Sequence, residues 1–172
     1  MERTKLWITK YDESWYYFCN RWPASLVHFF KWITHLGGSR VTVGIQAAFL
    51  FFAPLSWREV AVAATLSLVI SHLIMAAIKK MVRRIRPYLA LPEAKVHGYR
   101  FKDHSFPSGH ATAIFSLVST YIYFFPFLAP ALLPVAFLVA FSRVVLGVHY
   151  PSDVAAGAIL GMLAAVMVSS LF

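Results

Sequence analysis

The sequence predicts an all-α integral membrane helical bundle: about five to six transmembrane helices with an N-terminal interfacial amphipathic helix. Three observations carry this. Of 172 residues, 59% are hydrophobic and only 13% charged, roughly half the charged share of about 25% usual in soluble domains. The mean hydropathy is +0.65, and the apolar residues fall into long runs of the kind that cross a bilayer. The charges gather at the ends of those runs. At this length one domain is expected, 1–172, divided into an N-terminal interfacial region (1–38) and a helical bundle (39–172). The net charge of +9 suits anionic lipid or phosphate partners and, clustered as it is, argues against nucleic acid. Cys19 is the sole cysteine, which excludes an internal disulfide and a thiolate zinc site. Nothing at the start of the chain resembles a cleaved signal peptide, because Met1 to Lys10 is mixed polar with no apolar stretch directly after it. No feature specifies an oligomeric state.

Residues 1–20 are polar and aromatic, with Trp7, Trp15, Tyr16, Tyr17 and Phe18 suited to the headgroup level. Trp22 to Leu36 is apolar but broken by His28, Lys31 and His35. At about 15 residues it falls short of the ~20 needed to cross, so it reads as an amphipathic helix in the interface, with a tilted span as the alternative. Val41–Leu55 and Glu59–Ile78 read as the first two spans, joined by a turn at Pro54 to Trp57. The second is expected to run on as a basic helix to Arg86, where Pro87 stops it. Ala111–Phe125 is the third span and Ala131–Leu146 the fourth, with Pro126, Pro130 and Pro134 marking the connection and first turn. Val154–Phe172 is the fifth, and its many Gly and Ala residues predict close packing inside the bundle. His72, in mid-span, reads as a hydrogen-bonded bundle histidine.

Counting the crossings brings the second span's end, the third's start, the fourth's end and the fifth's start to one membrane face. Three polar groups meet there. Lys79 to His110 holds eight of the sixteen Lys and Arg against two acids, Glu93 and Asp103. Within it Lys79 and Arg86, seven apart, would share a helix face. That pattern suits either a basic membrane surface or a bound phosphate. Pro107-Ser108-Gly109-His110 places Ser108 to cap the third span, whose N-terminus attracts anions. His149 and Asp153, four apart at a helix start, are spaced for the carboxylate to orient the imidazole. Arg143 and Asp153 could alternatively form a structural pair between helices.

In order and spacing these groups resemble the signature of the type 2 phosphatidic acid phosphatase family, membrane lipid phosphatases related to vanadium haloperoxidases. The family pattern is Lys, six residues, Arg-Pro; then Pro-Ser-Gly-His; then Ser-Arg, five residues, His, three residues, Asp. Here it reads Lys79 with Arg86-Pro87, Pro107 to His110, and Ser142-Arg143 with His149 and Asp153, with no departure at a functional position. The resemblance covers residues 79–153 by motif. It implies that His149 attacks phosphorus to form a phosphohistidine, with Asp153 holding its ring. It further implies that Lys79, Arg86 and Arg143, helped by Ser108 and the Gly109 N–H, grip the phosphate oxygens. His110 would protonate the leaving oxygen and then activate water, with no metal and no cofactor required.

Lys95, Arg100 and Lys102, with His97 and His104, lie between the motifs and match nothing in the signature. They read as a solvated loop or as contacts to a lipid headgroup or second phosphate. The expected substrate is a lipid phosphomonoester or diphosphate: undecaprenyl diphosphate, phosphatidylglycerophosphate, phosphatidate or lipid A. Phosphotransfer to another lipid, and a catalytically silent lipid-binding scaffold, are the competing functions. Basic residues near the site would favour a cytoplasmic face by the positive-inside rule. Their recruitment for phosphate, and the habit of bacterial relatives, favour the outer face of the inner membrane instead.

Overall fold

The computed structural model describes residues 2–172, with side chains from residue 9 onward; the side chain of Trp7, expected at the headgroup level, lies outside them. The described residues fold into helices, with no strand among them. In order these are α1 (Glu2–Asn20), α2 (Ala24–Ile33), a 3₁₀ turn (Thr34–Gly37), α3 (Ser39–Phe52) and α4 (Leu55–Val82). The short α5 (Pro87–Ala90), α6 (Gly109–Phe124), a 3₁₀ turn (Pro126–Leu128), α7 (Ala129–Val145) and α8 (Pro151–Ser169) follow.

Three segments, Leu55–Ala90, Pro126–Val145 and Pro151–Ser169, are long and apolar enough to cross a membrane. The other two expected spans are shorter, at 14 residues for α3 and 16 for α6. Helix α6 is enclosed by its neighbours from Ala111 to Val118. An enclosed helix can carry Thr112, Ser116 and Thr120 because each hydroxyl bonds within the protein: Thr112 to the Ser108 carbonyl, Ser116 to Ala113, and Thr120 to Ser116 and to Ser67 of α4. The side chains that face outward on α4, α7 and α8 include large apolar ones, among them Leu73, Phe137 and Leu163. A bilayer is the solvent that tolerates them.

The enclosed helix is therefore α6, while α8, expected inside the bundle, packs closely through one face. One face of α8, from Gly157 and Gly161 to Ala164 and Ala165, is buried, while Ile159, Leu163, Val166 and Met167 are exposed. The small face serves close approach on one side only. A Cβ at Gly161 would lie 2.6 Å from the Thr112 carbonyl oxygen and 2.8 Å from the Ser116 nitrogen.

Two further expectations change. The basic extension of α4 stops at Val82, where Arg83 turns left-handed at φ 49°, and residues 83–86 carry no helix. Lys79 and Arg86 therefore do not share a helix face; Arg86 reaches the bundle from non-helical backbone. Pro87 opens α5 instead of merely ending α4, since proline suits a helix's first turn. The segment read as one amphipathic helix begins only after a break at residues 21–23, and α2 spans ten residues. That length, about 15 Å, cannot cross a hydrocarbon core of about 30 Å. Its Val27 and Phe30 are buried, and Leu26, Phe29 and Trp32 exposed.

Because the α6–α8 approach is backbone against backbone, Gly161→Ala should lower bundle stability by about 1–3 kcal/mol. Thermal unfolding in detergent measures it, and an unchanged midpoint would refute the tight approach.

Candidate active site

The ends of α4, α6, α7 and α8 meet at one end of the bundle, as the crossing count required. Gly147 makes the α7–α8 connection possible: at φ +76° it takes a conformation side chains resist, and a Cβ there would sit 2.1 Å from the Lys95 carbonyl oxygen. The reversal lets the His149 N–H donate to the Arg143 carbonyl at 3.2 Å. Two residues about 20 Å apart in an extended chain are thus held side by side.

His149 is buried, 2% exposed. Arg86 Nη1 lies 3.3 Å from its Nε2. A guanidinium can only donate, so Nε2 is the acceptor and the ring proton sits on Nδ1. Nδ1 in turn faces Asp153 Oδ2 at 3.5 Å, an ion-pair distance longer than a well-formed hydrogen bond. Burial pushes the imidazole down to about 4, against the hydrogen-bonding pull of Asp153 and with the charge of Arg86 adding to it.

Asp153 is wholly buried, and a buried carboxylate has to be matched nearly in full. Arg84 Nη1 donates to its Oδ1 at 2.7 Å, and the Tyr150 N–H to its Oδ2 at 2.9 Å. The Ser105 hydroxyl donates to Oδ2 as well. Arg84 extends the network outward: Nη1 donates to the Ser152 hydroxyl and Nη2 to Asp12 of α1, each at 2.7 Å, while its guanidinium lies 4.0 Å from the Tyr150 ring centre. Asp12 also receives the Ser152 N–H at 2.9 Å. The expected alternative of a structural Arg143–Asp153 pair does not form: Asp153 pairs with Arg84, and Arg143 donates through Nη1 to Thr34 Oγ1 at 2.6 Å.

Lys79 and Arg86 converge on Asp103. The Lys79 ammonium pairs with Asp103 Oδ2, Arg86 Nη2 with Oδ1 at 2.6 Å, and Arg86 Nε with the Asp103 carbonyl at 2.9 Å. Arg86 Nη1 also donates to the Val148 carbonyl at 2.8 Å. Against the upward push of partial burial, Lys79 and then Arg86 hold the Asp103 carboxyl down to about 2. Phe101 covers the same ground: its ring centre lies 4.8 Å from the Arg86 guanidinium and 5.4 Å from that of Arg143, and the ring meets His110 at 6.4 Å. Arg143 is 3% exposed, yet its Nε and Nη2 have no partner.

Ser108 precedes α6 as expected but its side chain caps nothing; the hydroxyl is buried without a partner. Its N–H donates to the Asp153 carbonyl at 2.9 Å, tying the start of α6 to that of α8. With α6 beginning at Gly109, the first N–H groups lack intrahelical acceptors.

The structure thus gathers His149, His110, Asp153, Lys79, Arg86, Ser108, Gly109 and Arg143. Lys95, Arg100 and Lys102 are exposed. The cavity against His110 and Arg143 is lined from that loop by His97, Gly98, Tyr99 and Phe101 instead. Sequence reasoning missed Arg84, Asp12, Ser105, Phe101 and Thr34. Arg84 had one signal, its place two residues before Arg86. Asp12 had only its scarcity as one of seven acids.

Residues 60–172 match the PAP2 superfamily. Bacitracin transport permease protein BcrC of Bacillus licheniformis is 33% identical over 111 residues, 64% of this chain and 55% of that protein. An undecaprenyl-diphosphatase of Sulfolobus acidocaldarius is 29% identical over 139 residues, 80% of this chain and 66% of that one. The chain spans about half the length of most of the curated relatives it matches. Crystal structures of Aquifex aeolicus LpxE (TM-score 0.81, 22% identity, 92% of this chain and 94% of that one) share its fold. So does a transmembrane PAP2-type phosphatidylglycerolphosphate phosphatase from Bacillus subtilis (TM-score 0.74, 26% identity, 95% and 85%). Motif, fold and matched residues agree: the chain is an integral membrane member of the PAP2 superfamily.

Proposed function

We propose that this chain is a lipid phosphate phosphatase that hydrolyses a lipid phosphomonoester or diphosphate through a phosphohistidine. The observation that carries the reading is the state of His149: neutral, protonated on Nδ1 toward Asp153, with Nε2 facing Arg86. Its Nε2 lone pair attacks phosphorus and the bond to the lipid oxygen breaks. Protonated His110 gives that oxygen its proton. Neutral His110 then takes a proton from water, which attacks the phosphohistidine and releases inorganic phosphate. Lys79, Arg86 and Arg143 offset the charge that builds on the equatorial oxygens, the role a metal fills in other phosphoryl-transfer sites.

In the free protein Asp103 holds the two cations that this chemistry assigns to phosphate. Its side chain is half exposed, so it can swing to water when a more highly charged anion arrives. Substrate phosphate competes with an internal carboxylate for Lys79 and Arg86.

Phosphate release in detergent, with chelator present, tests the activity on phosphatidate, phosphatidylglycerophosphate, undecaprenyl diphosphate and lipid A. Release is expected from at least one lipid and should fall by about 10³-fold or more in His149→Ala. Release that survives the substitution would overturn the mechanism. In Asp103→Asn, inhibition by inorganic phosphate should tighten by about threefold to tenfold; weaker inhibition would mean that Asp103 supports the anion site.

The buried imidazole also predicts a pH dependence. Unfolded, His149 binds a proton near its ordinary 6.5; folded, it does so only near 4. Between these values the unfolded chain holds more protons, so stability contributed by the neutral ring falls as pH drops from about 6.5 to about 4. Unfolding midpoints across that window should show a shallower slope in His149→Ala than in the wild type. Parallel slopes would place the His149 ring in water.

A further inference from the structure

A cavity of about 680 Å³ opens beside the catalytic end, bounded by His110 and Arg143 on its inner side and by Lys31, His35, Arg40 and His97 further out. No carboxylate lines it. Among the described residues no ion pair engages Lys31, Arg40 or Arg143. The inner wall holds buried donors with nothing to donate to, Arg143 Nε and Nη2. Native proteins leave few groups in that condition unless a ligand or ion completes them. Arg40 stands second in α3, where a cation opposes the helix dipole instead of complementing it. That placement gains nothing for the helix, and it adds charge to the already positive helix start that faces the cavity. Burial and the charges of Lys31 and Lys95 lower His97 below its ordinary value, against a backbone hydrogen bond at Asn20, so the positive field reaches inside.

Lys31 and Arg40 are two cations beyond the Lys79, Arg86 and Arg143 assigned to the transferred phosphate, and no acid lines the cavity they border. We propose that this cavity is a second anion subsite, in which Lys31 and Arg40 bind the second phosphate of a lipid substrate that carries two. The inference rests on the phosphatase reading for the identity of the substrate. Arg143 would be common to both subsites: Nη1 is fixed by Thr34 next to Lys31 and Arg40, and its two unpartnered nitrogens remain for phosphate. Lys31 and Arg40 lie outside residues 60–172, so this selectivity comes from the N-terminal segment and not from the matched family region. The second phosphate can be joined directly to the first, as in a prenyl diphosphate, or separated from it by glycerol.

Two matched pairs distinguish these sources: farnesyl diphosphate with farnesyl monophosphate, and phosphatidylglycerophosphate with phosphatidate. In Lys31→Ala/Arg40→Ala, kcat/KM for a two-phosphate member should fall by about tenfold or more while its one-phosphate partner changes less than about twofold. A loss confined to the farnesyl pair identifies adjacent phosphates, and one confined to the glycerolipid pair identifies separated ones. Equal losses on all four lipids, or none, would overturn the subsite and leave the two cations to the bilayer's own headgroups. Should the wild type turn over none of the four, the phosphatase reading fails, and titration with inorganic pyrophosphate against orthophosphate decides the subsite alone. A preference for pyrophosphate that disappears in the double variant supports it; a preference that persists, or is absent in the wild type, refutes it.

Discussion

A single buried carboxylate constrains much of this molecule. Asp153 is wholly enclosed at the start of α8, where an unmatched charge would cost several kcal/mol. Its partners come from three places in the chain: Arg84 beyond α4, Ser105 ahead of α6, and, just before α8, the Tyr150 N–H and His149. None of these segments can shift without exposing the carboxylate's charge to an apolar surrounding. Arg84 in turn requires an acid of its own, and Asp12 fastens α1 to the same point. The end of the bundle that carries the candidate site is therefore held by electrostatics, while its body is held by the close approach of α6 and α8.

The parts of this arrangement that could be read from sequence are those where local spacing determines geometry. His149 and Asp153 were legible as a pair from their spacing, but they meet at a helix cap: Asp153, third in α8, folds back on the extended Tyr150, and His149 stands just ahead of it. Ser108 to His110 sit at a helix start because proline and glycine precede an apolar run. The crossing count brought four helix ends together without any pairwise contact being known. Arg86 shows where this reasoning stops. Its seven-residue spacing from Lys79 implied a shared helix face, yet the left-handed Arg83 ends the helix first, and Arg86 arrives by another route. The two still meet, but through Asp103 and not through helical register.

The contributions of the N-terminal segment were the least legible, for a physical reason. Asp12 and Thr34 reach Arg84 and Arg143 across 72 and 109 residues of sequence. No periodicity encodes such pairings; they follow from how α1 and α2 lie against α7 and α8. A polar-aromatic stretch suited to a membrane interface has the same composition whether it rests on lipid or folds over a site. Asp12 and Thr34, before residue 38, hold Arg84 and Arg143 of the bundle in place.

The cations around the site fall into two groups by what balances them, and the division bears on how substrate is recognised. Arg84 is neutralised permanently by Asp12 and Asp153, so it serves structure. Lys79 and Arg86 are neutralised by Asp103, a carboxylate that half faces water, so their charge is available only in exchange. An anion binding there gains less than the bare charges suggest, because one favourable pairing replaces another. Arg143, with two unpartnered nitrogens, has no carboxylate to give up. For the lipid phosphate proposed above, the largest gain on binding would come at Arg143 and along the cavity it borders, with Lys79 and Arg86 acting on the phosphate that displaces Asp103. On the proposed reading, selection among lipids belongs to the cavity and the chemistry to the exchange site, with the Phe101 ring close to both Arg86 and Arg143.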